Sequence, residues 1–166
     1  MKINTLKMAL SLSIIGFTVF AEPIQLRCHM DSCSWANIQN IYKLNVGKEG
    51  GVLHEVSYIY GSSYHKNELS YPDLYSSEMN IDWDKSIAKL LVYCSIRRPA
   101  VFEKNQLIQT FEFPLVYGFE MSALDIYMHI CHDTKYSGNN EIFANLGYDK
   151  IQRKQFNSLK DLLDKF

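Results

Sequence analysis

The 166-residue sequence predicts an α+β fold: an antiparallel β-sheet of about five strands with C-terminal helices, stabilised by two disulfides. Three observations lead there. Apolar side chains recur with a period of two from 38 to 60, across a turn containing Gly50 and Gly51. Helical spacing begins only after Gly118. Four cysteines, Cys28, Cys33, Cys94 and Cys131, follow an N-terminal export signal, and an even count in an exported chain reads first as a disulfide framework.

The signal is MKINTLK, with Lys2 and Lys7, followed by the apolar run MALSLSIIGFTVF and Ala21. Val19 and Ala21 supply the small residues expected before a cleavage site, which places the cut between Ala21 and Glu22. The run is too short for the roughly 20 residues of a spanning helix, so no stable membrane insertion is expected after cleavage. Residues 22–166 then form a single compact exported domain, expected to be periplasmic or secreted. Taking the two signal lysines from 17 basic side chains leaves 15 against 18 acidic ones, a net charge of −3. That balance argues against a nucleic-acid partner, which would favour a basic face.

The segment LRCHMDSCSW concentrates reactive side chains. Proximity favours pairing Cys28 with Cys33, which leaves Cys94 with Cys131, although sequence alone permits three pairings. The alternative is a soft-metal site for copper or zinc, built from Cys28, His29, Met30 and Cys33, with Met128, His129 and His132 joining from the other cysteine segment. Its weakness is that two cysteines this close can oxidise to each other. Their spacing also differs from the CxxC half of a zinc site.

NIQNIYKLNV and VLHEVSYIY read as a hairpin about KEGG, with Ile38, Tyr42, Leu44 and Val46 along the first strand and Val52, Val56, Tyr58 and Tyr60 on one side of the second. Residues 61–80 form a long polar connection in which Tyr64, Tyr71 and Tyr75 recur among serines, the mixture that protein-binding loops use. MNIDWDK and KLLVYCSI are the next strands, the second apolar enough to be covered on both faces. VFEKNQLIQTFEF supplies two short strands about a turn at Lys104–Gln106. SALD resembles a capping box opening a helix through Leu124, Tyr127, Ile130 and Cys131. EIFANLG is a short helix with a glycine C-cap. A longer amphipathic helix is expected from Asp149, with Phe156, Leu159, Leu162, Leu163 and Phe166 as a core stripe.

No catalytic constellation is complete. GxSxG, HExxH, P-loop and GxGxxG patterns do not occur. Asp82 and Asp84 flank Trp83 in the manner of paired glycosidase carboxylates, but they read better as the solvent side of an edge strand. Arg97 and Arg98 read as a solvated strand end. The expectation is a small exported binding protein, without enzymatic activity or cofactor, that acts by contact with a protein partner in the cell envelope as an inhibitor or immunity-type protein does. Tyr64, Tyr71 and Tyr75 are its candidate contact residues. The alternatives are a periplasmic metal-handling protein and a small envelope hydrolase.

Overall fold

The computed structural model describes residues 22–164; the expected signal peptide, 1–21, and Phe166 lie outside them. Five antiparallel strands lie side by side in chain order: β1 (Ile24–His29), β2 (Ser32–Val46), β3 (Val52–Tyr64), β4 (Asp82–Cys94) and β5 (Ala100–Phe102). A separate ribbon pairs β6 (Ile108–Gln109) with β7 (Gln155–Phe156). The helices are α1 (Met121–His132), α2 (Glu141–Asn145) and α3 (Leu159–Asp164). The fold is therefore α+β, and both disulfides, Cys28–Cys33 and Cys94–Cys131, are formed as expected. Disulfides of this kind are consistent with an oxidising, extracytoplasmic compartment. Among the described residues no helix is long and apolar enough to cross a membrane.

The β2–β3 hairpin forms where the alternation placed it, closing with a hydrogen bond from the Gly47 N–H to the Gly51 carbonyl. A Cβ on Gly51 would sit 2.6 Å from the Tyr93 ring, so this glycine admits Tyr93 beneath the turn. Two faces of the sheet are buried. On one, Val56 and Val92 pack with Leu124, Tyr127 and Met128 of α1. On the other, Leu53 and Tyr93 meet Ile108, Phe156, Leu162 and Leu163. Neighbours in β4 thus point into two cores, which explains its unbroken apolar run. The Cys94–Cys131 bridge joins the end of β4 to α1 across the first core.

Several expectations change. The sequence gives no warning of β1, whose apolar content is little more than Ile24 and Leu26. Residues 82–94 form one strand rather than two. In β2 the register slips between Ile38 and Asn40 and again between Lys43 and Asn45. These bulges set Ile38 opposite Tyr58 and Tyr42 opposite Glu55, on different faces, and leave Ile41, Tyr42, Leu44 and Val46 about half exposed. The strand after Gln106 leaves the main sheet to pair with β7.

The expected helix from Asp149 shrinks to α3, because Phe156 is taken into β7 opposite Ile108 and the helix starts only after Ser158, whose Oγ accepts from the Asp161 N–H. Leu162 and Leu163 are core nonetheless, whereas Leu159, expected in the same stripe, is 36% exposed. The α1 helix begins at Met121, continuing a 3₁₀ turn at Gly118–Glu120, so Asp125 lies inside the helix and caps nothing. Arg98 is not solvated: its guanidinium lies 3.1 Å from the Glu49 carboxylate and donates to the Leu162 carbonyl, tying the hairpin turn to α3.

Candidate functional site

The distal end of the sheet is a tip assembled from the β1–β2 turn, the end of β3 and the connection after it. Cys28 and Cys33 face each other in register, with Cα atoms 4.0 Å apart. Between them Met30 and Asp31 both take positive φ, 48° and 59°, as a two-residue hairpin turn requires. Neither is glycine. A left-handed non-glycine residue costs on the order of 1 kcal/mol and persists only where its surroundings over-determine it. Here the bridge closes the turn, while the Asp31 N–H donates to the Tyr71 hydroxyl and the Asp31 carbonyl accepts from the His65 N–H.

The connection after β3 is held down at regular points. His65 Nε2 meets Ser63 Oγ at 2.9 Å, and that hydroxyl accepts from the indole N–H of buried Trp35. Tyr71 packs edge-on against His65, and Tyr75 against Trp35. Gln25 Nε2 donates to the Pro72 carbonyl, and Lys135 Nζ to the Asp73 carbonyl. Each anchor orders a loop that would otherwise fluctuate, and the side chains between anchors are turned outward. Tyr64 is 82% exposed, Leu69 98% and Leu74 73%, and Met30 at the neighbouring apex is 79% exposed. Of the three tyrosines selected from sequence, Tyr64 alone is an outward side chain; Tyr71 and Tyr75 fasten the loop.

Behind the tip lies a cavity of about 170 Å³ between the start of β1, the 73–75 segment and α1. Asp125 and His129, one helical turn apart, line it from α1. Asp125 is 6% exposed and its carboxyl makes no hydrogen bond among the described residues. Burial pushes its pKa up to about 7, against a smaller downward pull from Lys135. Lys135 itself donates to Gln25 Oε1 at 2.6 Å as well as to Asp73. Sequence reasoning missed Asp125, Gln25 and Lys135. The available signal was an acid in the apolar helical run ALDIYMHIC, which the capping-box interpretation absorbed.

The residues proposed for a soft metal are not brought together as ligands. Cys28 and Cys33 are bridged, and His29 and Met30 face solvent. His132 Nε2 lies 2.6 Å from the Tyr148 hydroxyl, which meets Tyr127, which in turn donates to the Ser95 carbonyl. Burial lowers the His132 pKa and raises that of Tyr148 to about 12, so this chain is an uncharged relay fastening α1 to the strands and the 148 segment. Among the described residues no group of three or more His, Cys, Asp or Glu could hold a metal ion. Asp82 and Asp84 are exposed on β4. No family model, curated protein or solved structure matches the chain.

Proposed function

We propose that the protein is an exported binding protein, periplasmic or secreted, that contacts a protein partner through the tip formed by Met30, Tyr64, Leu69 and Leu74. The observation carrying this reading is the pairing of rigidity with exposure. Four large apolar side chains stand in water on backbone fixed by a disulfide and a series of hydrogen bonds. Exposed apolar surface costs free energy unless a partner covers it, and preorganised anchors lose little entropy on binding. Centrally buried aromatic and aliphatic anchors contribute about 2 kcal/mol or more each when they act as hot spots. Binding of this kind is stoichiometric, as for an inhibitor or immunity-type protein that covers the working surface of a toxin or hydrolase.

Half-exposed apolar residues also line the open edge of β2, but its two bulges and Lys43 are the usual guards against edge pairing. The bridge between Cys28 and Cys33 removes the thiolates on which a copper or zinc reading depends. The test is affinity capture from envelope extract with mature wild type and with a variant carrying Met30→Ser, Tyr64→Ser, Leu69→Ser and Leu74→Ser. Loss of the captured protein by a variant whose circular dichroism and melting match wild type is the expected result. Full capture by that variant would overturn the proposal.

A further inference from the structure

The cavity behind the tip carries an inference of its own. Its walls mix apolar groups, Pro23, Ile24, Leu74 and Tyr75, with three acidic residues, Glu22, Asp73 and Asp125, against the ammonium of Lys135 and the α-ammonium that cleavage before Glu22 would free. The Lys135 ammonium is already committed to Gln25 Oε1 and the Asp73 carbonyl. Asp125, more than nine-tenths buried and lining this cavity, has no hydrogen-bonding partner among the described residues. A carboxylate this far out of water and without a hydrogen-bonding partner is destabilised in its charged form, so a cation placed beside it gains attraction that water screens less than at the open surface. The volume of about 170 Å³ equals roughly five or six waters at about 30 Å³ each, room for a ligand of about that many non-hydrogen atoms.

We propose that this cavity binds a primary ammonium group carried on a short apolar stem, with the Asp125 carboxylate as counter-ion and Pro23, Ile24, Leu74 and Tyr75 around the stem. A free alkylamine and a lysine side chain offered by another protein share that chemistry. The site is separate from the tip contact in its deciding residue, so either reading can fail while the other stands.

The groups facing Asp125 are Lys135, which attracts its ionised form, and Tyr136, whose own ionisation Asp125 opposes; Glu22, Asp73 and His129 line the same cavity. Only ionised Asp125 receives the cation. With its pKa at about 7, the competent fraction rises about tenfold from pH 6 to pH 8.

The experiment is calorimetric titration of the mature protein with n-butylammonium at pH 6, 7 and 8, with n-butanol as the uncharged control. The expected result is a dissociation constant about tenfold lower at pH 8 than at pH 6, a profile kept by His129→Gln and abolished by Asp125→Asn. Butanol should show neither the affinity nor the pH dependence. Nα-acetyl-lysine N-methylamide distinguishes the sources: tighter binding than butylammonium assigns a partner lysine, and weaker binding assigns a free amine. A flat profile, equal binding to Asp125→Asn, or no heat from either amine would overturn the proposal. So would binding that appears only after the α-amine freed at Glu22 is acetylated, since the chain's own terminus would then be the occupant.

Discussion

Replacing Asp125 by asparagine removes a carboxyl that folding holds in a protonated form the unfolded chain does not share. In the unfolded chain the group titrates near its ordinary value of 3.8, whereas burial in the folded protein pushes it up to about 7. Between those values the folded state binds a proton that the unfolded state has released. The contribution of this group to stability is therefore greatest below pH 4, falls as pH rises, and levels off above pH 7. At about 1.4 kcal/mol per pH unit, the gap amounts to a cost of roughly 4 kcal/mol at pH 8. Asparagine carries no charge in either state, so Asp125→Asn lacks this dependence. Urea unfolding of both proteins, followed by circular dichroism from pH 5 to pH 8, isolates the group because all other titrations are common to the pair. The advantage of the variant should grow by about 3 kcal/mol over that range, or on the order of 10 °C in melting temperature for a domain of this size. A difference that stays constant with pH would refute the reasoning, and one that shrinks would reverse its sign.

Two further perturbations test the framework. Cys94→Ser should cost more stability than Cys33→Ser, about 4 against about 2 kcal/mol by loop entropy, because the bridges span 37 and 5 residues; equal losses of melting temperature would contradict this. Arg98→Met should cost about 3 kcal/mol by leaving buried Glu49 with only the longer, solvent-exposed Arg97 contact at 3.7 Å, and adding Glu49→Gln should recover part of that loss. Additive losses in denaturant unfolding of the double variant would count against the pair.

The legible parts of the fold are those fixed by local pattern. The hairpin over 38–60 shows itself through alternation and the glycines between the runs, and α1 and α2 through spacing and a C-cap at Gly147, which has φ of 84°. Proximity along the chain is enough to pair the cysteines. What stayed hidden depends on distant partners. IQLRCH is a strand because Cys33 and Trp35 give it something to pair with, and Phe156 leaves a helical stripe because Ile108 competes for it. Bulges in β2 reverse faces without altering the apolar pattern that was read. At the tip, Tyr64, Tyr71 and Tyr75 are equivalent in sequence. Only the positions of Asp31, His65 and Trp35 separate the exposed residue from its two anchors. Asp125 was missed because a serine three positions earlier offered a local role that the earlier start of α1 removes.

The most direct test of the proposed contact surface is site-specific photo-crosslinking in the native envelope. A photoreactive phenylalanine analogue would replace Tyr64 or Leu69 in one pair of strains, and Tyr42 or Leu115, exposed elsewhere, in another. The account predicts one discrete adduct of the same mass from both tip positions and none from the other two. Adducts confined to Tyr42 or Leu115, with the tip positions silent, would contradict it.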